Sequence, residues 1–150
     1  MADDAGTPGT LEQLAVLFCE SIPHNRVLGL RVAEAADGVT ALVLPYSSEL
    51  VGNPETGVLA GGAVTSLIDS ACGAAVLLKL GRLARVATLD LRIDYLRPAL
   101  PGQDLVARAH CYRLTRSVAF VRALAHQGDE GDPVASAQGT FILTREGQAA

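Results

Sequence analysis

Between Glu55 and Lys79 the chain carries one charged side chain, Asp69, set in the middle of an otherwise apolar and small-residue segment. The stretch from Val58 to Leu78 spans 21 residues. That is long enough to cross a bilayer or to form the central helix of a soluble core. Three features favour the core. Gly, Ser and Thr are scattered through the segment, an ionisable residue stands at its centre, and no aromatic anchor flanks it. The pattern predicts a helix from about 61 to 80, closed by Gly81. Val64, Leu67, Ala71, Ala75 and Leu78 follow the i, i+3, i+4 rule and make an apolar stripe. Gly62, Thr65, Ser66, Asp69, Cys72 and Gly73 make the opposite, small or polar side.

A helix that is apolar nearly all round must be covered by other elements, and the rest of the chain reads mostly as strand. Thr10 and Gln13 form a T-x-x-Q capping box ahead of a helix over about 10–21. Pro23 is read as its stop, with His24 and Asn25 in the following loop. Strands are expected at about 29–36 and 39–45, joined by Asp37-Gly38 as a tight turn with φ > 0. A loop is expected over 46–57. After the central helix, Val86–Arg97 alternates. Leu89, Leu91, Ile93 and Tyr95 fall on one face, and Thr88, Asp90, Arg92 and Asp94 on the other. Strands at about 103–114, 117–127 and 133–144 follow, with Ala, Val and Gly on one face. Their short connections require antiparallel pairing. The fold class is therefore α+β: a curved antiparallel sheet wrapped around one long central helix.

With 150 residues the chain is sized for one domain, read as 10–146 behind a flexible tail at 1–9. A net charge of −4 and the absence of Trp leave no footprint of a nucleic-acid partner. The N-terminal residues carry no targeting pattern, so a cytoplasmic location is expected, without a membrane partner. Three Cys and three His show no metal-ligand spacing, and neither a metal nor a cofactor is expected.

An ionised carboxylate inside a buried helix costs several kcal/mol unless it is hydrogen-bonded or solvated. No basic residue lies within two turns of Asp69. Its small neighbours leave room for a pocket. Hydrogen bonds from Thr65 or Ser66 would instead make it structural. Gly57, Gly61 and Gly62 crowd the start of the same helix, where unpaired N–H groups favour negative charge. Gly61 and Asp69 lie about 12 Å apart along the helix axis. One chain cannot bring both to one reacting atom. An antiparallel second copy could, which makes a dimer with composite sites the geometric expectation.

The segment Asn53-Pro-Glu-Thr-Gly57-Val-Leu-Ala60-Gly61-Gly62, followed by Leu67-Ile68-Asp69-Ser70-Ala71, resembles the signature of hotdog-fold acyl-CoA thioesterases. It is most similar to the PaaI-type branch, related to the 4-hydroxybenzoyl-CoA thioesterases. Thr88 to Pro98, Pro101-Gly102 and Pro133 to Phe141 extend the similarity. The resemblance implies hydrolysis of an acyl-CoA or aryl-CoA thioester to the free acid and CoA. It also implies a homodimer, usually paired into a tetramer, with active sites at the interface. Asp69 would be general base or nucleophile, and Gly61 the oxyanion donor from the other subunit. Asn53 would place the thioester or the water, and Thr88 would be a supporting hydroxyl. Gly62, Thr65 and Ser66 would line the substrate site, and Arg97 and Arg116 would hold the phosphates of CoA. The family usually has His where this chain has Ala60, and commonly Gly where it has Thr115. The loss of that His leaves a second reading open, a non-catalytic binder of acyl-CoA or another small ligand. A hotdog dehydratase is disfavoured, because such enzymes pair a His with the carboxylate and no His is expected near Asp69.

Overall fold

The computed structural model describes residues 9–144. The expected tail lies outside them except for Gly9, as do residues 145 and 146 of the expected domain.

The first helix, α1 (Leu11–Ser21), starts as its sequence predicts: the Thr10 side chain accepts from the Gln13 N–H at 3.1 Å. The Gln13 amide reaches back one residue further than a capping box requires, to the N–H of Gly9 at 2.9 Å. Pro23 does not lead into a loop. It begins a second helix, α2 (Pro23–Leu28), ended by Gly29 at φ 69°. Proline's fixed φ and missing N–H suit the first helical position as well as they suit a stop. His24 and Asn25 are therefore helical, and Asn25 is buried.

Strands β1 (Arg31–Ala36) and β2 (Val39–Leu44) form the expected hairpin; at its turn only Gly38 adopts a positive φ. The segment read as a loop over 46–57 carries more structure than its composition suggests. A turn of 3-10 helix (Ser48–Leu50) precedes β3 (Val51–Asn53), which pairs with β4 (Val58–Leu59) as a separate small sheet.

The central helix is α3 (Gly61–Leu80), and Gly81 closes it at φ 68° by donating its N–H to the carbonyl of Leu77. Every residue from Ala71 to Leu78 is buried. This includes Cys72 and Gly73, which the sequence pattern placed on the small-polar side. The polar side is confined to the first half of the helix. By length and composition α3 could cross a membrane, but here it packs against its own sheet.

That sheet has six strands in the order β1-β2-β6-β7-β8-β5, all antiparallel. Its second-half members are β5 (Arg85–Tyr95), β6 (Leu105–Leu114), β7 (Val118–His126) and β8 (Ala135–Thr144). Ala107, Ala109, Ala123, Ala125, Ala135 and Ala137 form its inner face, each 3% exposed or less. Such short side chains let the sheet come close to α3 and curl around it. At Gly139 an added Cβ would sit 2.9 Å from the Phe141 ring and 3.2 Å from the Asp90 carbonyl, so a larger residue is excluded. One edge of the sheet is β1 and the other is β5.

Candidate active site

Asp69 sits two turns into α3, half-buried, on the side left uncovered by apolar packing. Its Oδ1 accepts a 2.8 Å hydrogen bond from Thr88 Oγ1. Neither Thr65 nor Ser66 supplies that bond. The Oδ2 atom has no protein partner among the described residues, and no ion pair there involves Asp69.

Thr88 reaches Asp69 because of a backbone irregularity that strict alternation cannot anticipate. Thr88 pairs with Phe141 and Asp90 with Thr140, so Leu89 is an extra residue with no opposite number. This bulge shifts the pleat by one residue. Thr88 thereby shares the inner face with Leu91, Ile93 and Tyr95, instead of pointing away with Asp90. Leu89 is displaced outward and is 57% exposed.

The carboxylate opens into a cleft of about 250 Å³. Phe18, Ile22, Val86 and Phe141 give it apolar walls, and Thr88, Ser66 and Ser70 surround the acid. His24 and Asn25, which the sequence reading left in a loop, also line it. His24 Nε2 lies 3.2 Å from Ser66 Oγ. The Ser66 hydroxyl donates to the Gly62 carbonyl at 3.0 Å, so its oxygen must accept from the imidazole N–H. An imidazole thus stands at the Asp69 cleft after all, contrary to the expectation of none. The signal that could have found it is Pro23, read as a helix start.

Cys72, one turn beyond Asp69, is fully buried in the core. Burial, reinforced by the charges of Asp69 and Cys111, pushes its thiol well above the ordinary range. It is an inert packing residue, not a nucleophile.

Gly61 lies elsewhere in the same chain, in a second cleft of about 370 Å³ lined by Val64, Tyr95, Arg97 and Pro98. Tyr95 donates its hydroxyl to the Gly61 carbonyl at 2.8 Å and meets Thr65 Oγ1 at 2.7 Å. Since the phenol has one proton, the order is Thr65 to Tyr95 to Gly61. This chain ties the end of β5 to the start of α3. Sequence analysis grouped Tyr95 with Leu91 and Ile93 on one face of the strand but assigned it no role. The N–H groups of Gly61 and Gly62 have no acceptor among the described residues, and both glycines are exposed. Ala60 is the N-cap and provides no side-chain cap.

Three expected residues sit apart from both groups or are already engaged. Asn53 is exposed on β3, and its Oδ1 accepts from the Glu55 N–H at 3.0 Å. Arg97 lines the Gly61 cleft, but its guanidinium bonds to the carbonyl of Asp132 at 2.9 Å and pairs with the Asp132 carboxylate at 3.0 Å. It also donates to the Pro98 carbonyl and to Gln127. Arg116 is exposed in the turn between β6 and β7 and has no ion-pair partner among the described residues. A single chain therefore joins Asp69 to Thr88, and Gly61 to Thr65 and Tyr95, but does not join the two groups.

A long buried helix inside an antiparallel sheet, with a carboxylate at mid-helix and free glycine N–H groups at its start, defines a class that the comparisons identify. A family model described as the thioesterase superfamily matches residues 56–134, and the chain belongs to that family. The chain is 30% identical to the medium/long-chain acyl-CoA thioesterase YigI of Escherichia coli, with 89% of this chain and 93% of YigI covered. A crystal structure of a Pseudomonas aeruginosa protein aligns at 44% identity and a TM-score of 0.82, covering 89% of this chain and 98% of the other. A phenylacetic acid degradation protein PaaI from Thermus thermophilus aligns at 28% identity and a TM-score of 0.70, covering 81% and 98%. The chain is a hotdog-fold thioesterase of the PaaI type, as its motif resemblance implied.

Proposed function

We propose that this chain hydrolyses an acyl-CoA thioester to the free acid and CoA, with Asp69 as general base. The observation that carries this reading is the Asp69–Thr88 pair at the mouth of a half-apolar cleft. Thr88 occupies Oδ1 and leaves Oδ2 for a water. The water oxygen attacks the thioester carbonyl carbon as Asp69 takes its proton. The tetrahedral oxyanion then collapses, the C–S bond breaks, and CoA leaves as a thiolate that regains a proton. Thiolates leave readily, so a strong leaving-group acid is not required. The oxyanion needs donors aimed at it. The free Gly61 N–H of a second copy fits that need, since Gly61 and Asp69 of one chain are about 12 Å apart. Asn53 of that copy would place the thioester or the water.

A dimer follows from this arrangement, and the free edge of β5 supports it. Leu89, Leu96 and Leu100, on β5 and just beyond it, are each 48–57% exposed. Such an edge is a template for pairing with another chain. The medium- and long-chain acyl-CoA named for YigI is the first substrate class to try on this enzyme. Gly62, Thr65, Ser66 and Arg116 remain candidate substrate contacts. Arg97, held by Asp132, would contribute only in part.

The test is thiol release from a panel of short, medium, long and aromatic acyl-CoAs, run for the wild type and for Asp69→Asn. Release by the wild type and a loss of at least ~10²-fold in the variant is the expected result. Measurable binding without release from any substrate would leave the non-catalytic binder as the correct reading.

A further inference from the structure

The Asp69 cleft contains a polar group that hydrolysis of a plain acyl chain does not use. Asn25 is 1% exposed and lines the cleft. Ser70, the residue after Asp69, donates its hydroxyl to Asn25 Oδ1 at 2.8 Å. The Nδ2 end of the same amide is buried with no hydrogen-bond partner. A buried donor left without an acceptor is costly, and such groups call for a specific explanation. The surroundings show what the missing acceptor is not. Of the residues that share the cleft, Phe18, Ile22 and Phe141 accept nothing, and none of the acceptors there, Ser66, Asp69 and Thr88, bonds to Nδ2. The adjacent imidazole donates from Nε2 to Ser66, and its Nδ1 makes no bond to the amide. Among the residues lining the cleft near the carboxylate, then, is an unused amide donor.

We infer that Asn25 reads an oxygen atom on the acyl group, so that the preferred substrates are acyl-CoAs bearing a hydroxyl or keto oxygen within a few carbons of the thioester. This rests on the thioesterase reading and deepens it. Ser70 links Asn25 to the helix position beside Asp69, which places the amide close to the reacting end of the substrate and not at the far end of its chain. The remaining apolar wall accommodates the rest of the acyl chain. A substrate without the oxygen leaves the donor orphaned in the bound complex. A substrate with it satisfies the donor, and that difference is the source of discrimination. His24, held over the same cleft by Ser66, forms part of the wall against which the oxygenated segment lies.

The experiment compares kcat/KM for octanoyl-CoA and 3-hydroxyoctanoyl-CoA, which differ by one oxygen. The wild type is expected to prefer the hydroxylated substrate by at least ~10-fold, equivalent to about 1.4 kcal/mol. In Asn25→Leu the ratio is expected to fall to within about twofold. If that variant fails to fold, Asn25→Asp serves. It can still accept from Ser70 but presents an acceptor in place of the donor, and it should also lose the preference. Equal turnover of the two substrates by the wild type would overturn the inference while leaving the thioesterase reading intact. So would a preference that survives both substitutions. Hydrolysis of neither substrate, nor of any in the wider panel, would instead overturn the thioesterase reading itself.

Discussion

Replacing Thr88 by Val tests the Asp69 site at a single hydrogen bond. The two side chains have nearly the same shape, and Thr88 is exposed on the wall of the Asp69 cleft, so the fold should be little disturbed. What is removed is the 2.8 Å bond from Thr88 Oγ1 to Asp69 Oδ1. A hydrogen bond to a charged acceptor contributes about 1.5–3 kcal/mol. If that bond holds the carboxylate for reaction, its loss lowers kcat by roughly 10- to 100-fold, at 1.36 kcal/mol per decade. KM should change little, because the bond orients the acid and does not bind the acyl chain. The assay is steady-state thiol release, paired with a thermal melt to confirm that the variant is folded at the assay temperature. The double variant with Asp69→Asn supplies a second criterion. Residues acting as one unit are not additive, so the double variant should be no slower than Asp69→Asn alone. Unchanged kcat in Thr88→Val, or fully multiplicative losses in the double variant, would show that Thr88 does not act through Asp69.

Gly139→Ala should cost about 1–3 kcal/mol, because the new Cβ falls 2.9 Å from the Phe141 ring and 3.2 Å from the Asp90 carbonyl. A melting temperature equal to wild type would refute that overpacking. Sedimentation at micromolar concentration should show at least a dimer, and an active monomer would eliminate the composite site. The hydrogen bonds and charge of Arg108 hold the Glu34 carboxyl below its ordinary value of 4.5. A depressed folded value means that the pair's stabilisation is present above that ordinary value and is lost as pH falls through the folded one. Both side chains are 40% exposed, so the pair contributes no more than about 1 kcal/mol. Denaturant unfolding of Glu34→Gln should therefore differ slightly from wild type at pH 7 and merge with it in stronger acid; a gap that persists below pH ~2 would contradict the pair.

The parts of the fold legible in the sequence are those with one dominant periodicity. The central helix ends at Gly81 as read, and the small-residue face of β6, β7 and β8 is the buried face. The misreadings share a cause: each turned on a local choice that tertiary contacts decide. Pro23 suits both a helix stop and a helix start, and only packing of α2 over the cleft selects the start. Val86–Arg97 alternates well enough to hide one bulge, yet that bulge places Thr88 on Asp69. Asp69 itself stood out because its charge has no local compensation. Asn25 and His24 did not, since polar residues after a proline resemble any surface loop. The pairing of Tyr95 with Thr65 and Gly61 joins residues 30 and 34 positions apart, beyond any local pattern.

Ala60→His carries the sharpest test of whether this chain is an adapted enzyme or a decayed one. The resemblance places a His there, and Ala60 caps α3 with no side-chain bond. The site has little room to spare around it. A Cβ on Gly52 would sit 2.9 Å from the Ala60 Cα, so the β3 backbone presses on the helix start. Meanwhile an imidazole already borders the Asp69 cleft from α2, and the Asp69–Thr88 bond is intact. A half-buried carboxylate with no ion-pair partner among the described residues is costly to keep. These observations together favour an adapted site. In an adapted site the added ring crowds the mouth and shifts substrate preference without a large gain. In a decayed site the same ring restores turnover, because the remaining groups are still in position. The measurement is kcat/KM for both proteins on the best substrate of the panel. A change within ~10-fold is expected; a rise beyond it, more than about 1.4 kcal/mol of transition-state stabilisation, would reverse the argument in favour of decay.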